Sequence, residues 1–172
     1  WRGFKKASGG LMFDWGAHLV DYALHFDPSE VEQVSGFLFR APGSKEEENE
    51  THGTLRIYFA SGAVANITVS GADRHHPQRY KLVGTKGTLI DDWNHSPEGQ
   101  LKVYSRLSGG EATEMTVPCR KSRVQDFYDS IAGHMTEGKE LMVSAESAAK
   151  VINVLQTAER SSAEGGQPLP LA

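Results

Sequence analysis

The run Gly9-Gly10-Leu11-Met12-Phe13-Asp14-Trp15-Gly16-Ala17-His18-Leu19-Val20-Asp21 is where ionisable residues recur at helical spacing inside an apolar segment. At roughly 100° per residue, Asp14, His18, Asp21 and His25 stand at about 0°, 40°, −20° and 20°, a single narrow stripe. Leu11, Trp15, Ala17, Leu19, Val20, Leu24 and Phe26 occupy the other sides. A helix apolar around most of its circumference is expected to be buried. Two carboxylates and two imidazoles are costly to bury together unless they pair or carry chemistry. The spacing predicts a helix over residues 9–26, stopped by Asp27-Pro28.

Beyond that helix the pattern switches to a period of two. Val31 to Arg40 alternates weakly, with Val34 and Leu38 opposed to Phe37 and Phe39, as in a strand covered on both faces. Thr54 to Phe59 alternates cleanly, and Ala60-Ser61-Gly62-Ala63 reads as a tight hairpin leading into Val64 to Ser70. Tyr80 to Val83 and Thr88 to Ile90 flank Gly84-Thr85-Lys86-Gly87 as a second hairpin, and Leu101 to Tyr104 and Met115 to Val117 add short strands. Between the first two strands, Ala41-Pro42-Gly43-Ser44 and the acidic run to Glu50 read as a turn and a solvated loop.

Two helices close the chain. Ser122-x-x-Gln125 has the form of a capping box, followed by an apolar stripe of Val124, Phe127, Ile131 and Met135, with Gly138 past the end. Ser144 is placed to cap a helix through about Ala163, with Ala148, Val151, Ile152, Leu155 and Ala158 turned inward. A helix, a series of antiparallel strands and then helices define an α+β domain: one open twisted sheet with helices on one face. All 172 residues fit one domain with a core of its own. Leu55, Ile57, Phe59, Ala65, Ile67 and Val69 are expected to meet the helices. Thr54, Arg56, Tyr58, Val64, Asn66 and Thr68 are left on the open face, where Tyr and Arg favour association.

Composition removes several classes. A net charge of −4 argues against a nucleic-acid binder. No apolar run approaches a membrane span, and no signal peptide opens the chain. The lone Cys119 excludes a disulfide framework and suits a cytoplasmic setting. Trp1-Arg2-Gly3-Phe4 carries no Met and starts neither helix nor strand, so the expectation is a segment of something longer. No Gly-x-Gly-x-x-Gly follows a strand, and there is no Walker loop.

Three readings of the ionisable stripe remain. One is a satisfied polar seam, with Asp21 pairing locally. A second is a metal site on Asp14 and His18, although no third ligand has a characteristic spacing, and a metal-dependent lyase or isomerase would follow from it. The third is general acid/base catalysis, with an imidazole one turn from the carboxylate that orients it. Gly16 between them leaves room for a substrate or cofactor ring, and Gly9-Gly10 permits a sharp entry. Arg74-His75-His76 follows a strand and is a candidate lip for such a site. Arg2 and Lys5 are weaker candidates for an acidic ligand, Trp15 reads as core, and Cys119 lacks a neighbouring base.

The pattern Gly-Gly-x-x-x-Asp-x-Gly-x-His-x-x-Asp from Gly9 to Asp21 resembles the motif opening the C-terminal domain of the Gfo/Idh/MocA oxidoreductases, relatives of glucose–fructose oxidoreductase and inositol dehydrogenase. Val83-Gly84-Thr85-Lys86-Gly87-Thr88-Leu89, Asp126-Phe127, Ser144-Ala145-Glu146 and Ser161-Ser162-Ala163-Glu164-Gly165-Gly166 continue the likeness. The resemblance implies an α+β substrate-binding and oligomerisation domain whose partner, an N-terminal Rossmann domain, binds NAD or NADP and supplies a Lys from a Glu-Lys-Pro segment. It implies His18 as acid/base toward a sugar or polyol hydroxyl, and Asp14 as the residue that holds that hydroxyl or orients the imidazole. Arg74 and His75 join these two as expected substrate contacts. This chain has no Glu-Lys-Pro. Alone it is expected to bind no dinucleotide or metal and to be inactive, and to dimerise through its open sheet face. A non-catalytic dimerisation or binding module derived from such enzymes is the alternative.

Overall fold

Leu55, Ile57 and Phe59 alternate with Thr54, Arg56 and Tyr58, and the first three are buried while the second three are not. That strand is the middle of a sheet in the computed structural model, which describes residues 1, 3–74, 79–91, 100–106, 112–119 and 123–171. The described chain divides into two compact units, one of Trp1–Ala72 with Lys139–Ala172 and one of Asp73–Gly138. Among the described residues, no helix is long and apolar enough to cross a membrane.

The first unit holds α1 (Lys5–Ser8), a π-turn (Met12–Gly16), α2 (Ala17–Phe26), β1 (Val31–Phe39), β2 (His52–Phe59), β3 (Val64–Ser70), α4 (Ala145–Ala163) and β8 (Leu169–Pro170). Its sheet runs β3-β2-β1-β8, and the pairs β1–β2, β2–β3 and β1–β8 are all antiparallel. Val31 and Val34 are three apart yet both buried, because a bulge between Val31 and Gln33 resets the register of β1 on β2. Met12, Val20, Val34, Leu55, Ile57, Val154, Leu155 and Ala158 form the centre of the core between this sheet and the helices.

The second unit holds β4 (Tyr80–Gly84), β5 (Gly87–Asp91), β6 (Gln100–Arg106), β7 (Ala112–Pro118) and α3 (Val124–Glu137). The strands form an antiparallel meander, β4-β5-β6-β7. Gly84 pairs with Gly87 across a two-residue Thr85-Lys86 turn, as the glycine spacing predicts. Arg79 forms an ion pair with Asp91 and lies over the Tyr80 ring, 5.2 Å from its centroid.

The α+β class and the open antiparallel character stand, and the strand positions follow the alternation closely. The strands divide between two four-stranded sheets where one was expected. Leu55, Ile57, Phe59, Ile67 and Val69 are buried, and Ala65 packs against them, as expected of the helix-side set. Strand β1 is covered on one face only: Phe37 is 57% exposed and Phe39 is also exposed. The last helix starts at the Ser144 cap, whose hydroxyl accepts the Ser147 amide at 3.1 Å. Its buried seam is Val151, Val154, Leu155, Ala158 and Ser161, spaced by three and four, whereas Ala148 and Ile152 face outward. Helix α3 ends at Gly138 in the left-handed region as predicted, but buries none of its residues, and Met135 is 80% exposed. Ser122 lies outside the described residues, and Arg123 stands at the N-cap without a side-chain cap.

Where β8 stops, serines continue. Among the described residues, β8 pairs with Gln33 and Val34 alone. The next two edge amides, Gly36 and Leu38, donate to Ser161 Oγ at 3.0 Å and to Ser162 Oγ at 2.9 Å. This explains the Ser161-Ser162 pair late in a helix, where hydroxyls are ordinarily unhelpful.

Candidate active site

Gly9 and Gly10 have φ of 81° and 116°, so the chain enters the helix through two backbone conformations that side chains rarely adopt. The entry is as sharp as the glycine pair suggests. The segment that follows is not a uniform α-helix over residues 9–26. Met12–Gly16 forms a π-turn, and regular α-helix begins only at Ala17. A π-turn closes i→i+5 hydrogen bonds and so carries one residue more than an α-turn. The angular stripe of a uniform α-helix is therefore shifted between Asp14 and His18.

The turn is held by its buried methionine. Met12 is almost fully enclosed, and its side chain runs between Gly16 and Gly53. A Cβ at Gly53 would stand 2.6 Å from Met12 Cε, and one at Gly16 would collide with Met12 Sδ. Gly16 is thus buried, and the space it leaves belongs to the methionine sulfur rather than to a substrate or cofactor ring. Displacement of the wide turn also puts Trp15 outside the core, 57% exposed. Its ring lies 6.2 Å from that of His18, tilted by 58°.

The stripe separates into two parts. Asp14 is half-buried on the π-turn, and His18 is exposed on the first turn of α2. One helical turn further, His25 Nδ1 lies 2.9 Å from the backbone oxygen of Asp21 and 3.6 Å from its carboxylate. His25 has a side chain 67% exposed, so this is a solvent-facing local pair, not a buried cluster. The helix ends at Asp27, whose carboxylate accepts the Ser29 amide at 3.0 Å and the Ser61 hydroxyl at 2.5 Å. Hydrogen bonds from the Ser29 hydroxyl, then the Ser61 hydroxyl, then the Ser29 amide hold its carboxyl below the usual range.

A residue from the acidic run completes the entry. Glu50 is 5% exposed, and its Oε1 accepts the Met12 amide at 2.8 Å. Leu11 precedes the π-turn without any side-chain cap, so this carboxylate from a distant loop takes an amide that the turn itself leaves open. A hydrogen bond of this kind contributes about 0.5–1.5 kcal/mol. Gly10 makes room for it, since a Cβ there would lie 2.6 and 2.7 Å from the two carboxylate oxygens. The loop is not simply solvated: the Lys5 amide donates to Glu47 O at 3.0 Å, and the Asn49 amide donates to Gly3 O at 2.9 Å. Only a glutamate at the end of a charge run marked Glu50 in the sequence, and nothing there separates it from its exposed neighbours Glu46 and Glu47.

The remaining candidates scatter. Arg74 is exposed and belongs to the second unit. His75, like Arg2, lies outside the described residues. Lys5 forms an ion pair with Glu159 of α4 and is occupied within the first unit. Cys119 is half-buried beyond β7. Among the described residues no three His, Cys, Asp or Glu gather as a metal would require.

An open antiparallel sheet backed by helices and entered through a glycine pair is the architecture on which these residues stand, an α+β domain. The family model for the GFO/IDH/MocA C-terminal domain matches residues 1–90, and the chain belongs to that family. A curated relative, scyllo-inositol 2-dehydrogenase (NADP(+)) IolW of Bacillus subtilis (strain 168), is 23% identical over 185 residues, covering 95% of this chain and 50% of the relative. Among solved structures, the yvaA protein of Bacillus subtilis superposes with a TM-score of 0.81 at 20% identity, over 95% of this chain and 52% of that one. An NAD-binding protein from Listeria innocua does so with a TM-score of 0.77 at 25% identity, over 96% and 49%. The chain spans about half the length of the relatives it matches.

Proposed function

We propose that this chain is the substrate-binding half of an NAD(P)-dependent oxidoreductase acting on a sugar, polyol or related hydroxy compound. The observation that carries the reading is the exposed His18, one turn beyond a half-buried Asp14, on a helix entered through Gly9 and Gly10. The Bacillus subtilis inositol dehydrogenase is a relative whose substrate is of this class. His18 takes the proton from the substrate hydroxyl during oxidation and returns it during reduction. Asp14 holds that hydroxyl or orients the imidazole. Arg74 and His75 are the further candidate substrate contacts.

Neither the Gly84–Gly87 turn nor the Gly9-Gly10 entry offers a dinucleotide a phosphate cradle. Gly84-Thr85-Lys86-Gly87 joins two strands and offers no helix N-terminus. At Gly9-Gly10 the Met12 amide is already taken by the Glu50 carboxylate, which repels phosphate. In this reading NAD or NADP is held by a Rossmann domain outside this chain, and the residues here handle the proton. The lone Cys119 supports a reducing, cytoplasmic setting. The open face of the first sheet, with Phe37, Tyr58, Val64 and Arg56, supports a homodimer joined face to face.

In the full-length protein, assayed with NADP+ and a polyol panel that includes scyllo-inositol, His18→Ala lowers kcat about 10²–10⁴-fold. Asp14→Asn lowers it as well, and both variants remain folded. Near-normal turnover of His18→Ala would return the site to a polar seam.

A further inference from the structure

Glu50 is a buried carboxylate that the acid/base reading does not use. We infer that Glu50 is a positioning residue for Asp14 and His18, acting through the Met12 amide; the inference rests on the acid/base reading above. Its carboxylate accepts that amide at 2.8 Å, two residues before Asp14 and inside the π-turn. The π-turn is the least secure part of the helix, because a change of register by one residue converts it to ordinary α-helix and turns Asp14 to another side. Met12 opposes that change twice. Its side chain is locked between Gly16 and Gly53, and its amide is locked by Glu50.

The acceptor is itself placed by backbone rather than by the reach of a flexible side chain. Phe4 and Glu48 form an isolated antiparallel bridge, and the Asn49 side chain donates to Ser8 Oγ at 3.0 Å. These contacts hold residues 45–50 against the segment that leads into Gly9-Gly10. Gly10 is then required twice, for its φ of 116° and for the space its absent Cβ leaves to the carboxylate.

Two substitutions in the full-length protein separate reach from charge. Glu50→Gln keeps the oxygen at the same distance and loses the charge, whereas Glu50→Asp keeps the charge and withdraws the oxygen by one methylene. Turnover is read with NADP+ and the polyol panel, and hydrogen exchange over residues 11–18 by mass spectrometry. Glu50→Asp is expected to lower kcat and kcat/KM together by about ten- to a hundredfold, as a misplaced acid/base does. KM stays as in the parent, and exchange over residues 11–18 accelerates. Glu50→Gln is expected to stay near the parent in both readouts. Parental exchange or parental kcat in Glu50→Asp overturns the inference, and so does a Glu50→Gln variant as impaired as Glu50→Asp. His18→Ala, run alongside, keeps the two ideas apart. Loss of turnover there with a normal Glu50→Asp enzyme removes the positioning role alone. Retention of turnover in His18→Ala removes the acid/base reading and the positioning role with it.

Discussion

Gly36 of β1 lies directly under the carbonyl of Ala158 in α4, so close that a Cβ at position 36 would fall inside the radius of that oxygen. The contact is backbone to backbone, and no side chain can move aside to relieve it. Gly36→Ala is expected to destabilise the domain by about 1–3 kcal/mol, the usual cost of overpacking. Urea denaturation measures it, and an unchanged midpoint would mean that α4 floats over the sheet.

Met12 and Gly16 form a coupled pair. Gly16→Ala pushes on the end of a side chain that Gly53 prevents from retreating. The expected loss is about 1–3 kcal/mol. Met12→Ala, which empties the centre of the core, costs about 2–5 kcal/mol. The double variant costs less than the sum, because the new methyl enters the space that the methionine left. A strictly additive cycle would place the two residues out of contact.

Acid exposes the other end of the helix. Bonds from Ser29 and Ser61 keep the folded pKa of Asp27 below its unfolded value of about 3.9. A depressed carboxyl contributes stability above the unfolded pKa, and that contribution is lost as pH falls through the folded one. Replacing both serines by Ala therefore flattens the fall in Tm below about pH 4 and lowers Tm slightly at neutral pH. Thermal melts between neutrality and strong acid check this, and curves that differ by a constant offset would exclude Asp27.

Association is expected on the open face. Tyr58→Glu places a charge between Gln33 of β1 and Val64 of β3, on the face that also displays Phe37. Light scattering is expected to show a dimer for the parent and a monomer for the variant. A parental monomer at tens of micromolar, or a dimer indifferent to the substitution, would move the interface elsewhere.

Much of this fold was legible because its signals are local. Leu55-x-Ile57-x-Phe59 needs only alternation, Ser144 only its hydroxyl, and Gly138 only its freedom to adopt positive φ. The glycine pair with Asp14 and His18 announced the candidate site for the same reason. What escaped depended on distant partners. The π-turn follows from Met12 fitting against Gly53, some forty residues away. Trp15 read as core because α-helical spacing put it there. Glu50 looked like its neighbours because solvent and a buried helix entry select the same residue type. Strand β8 is two residues long and too short for any period.

The Ser161 and Ser162 hydroxyls have a further consequence for β1. A strand that meets another strand passes on the opportunity to pair, since the newcomer has a second side. A hydroxyl accepts one amide and offers no onward ladder. At Gly36 and Leu38 the sheet is therefore terminated in the sense that a chain stopper ends a polymer. Copies of the domain that meet along this border find no template for extension.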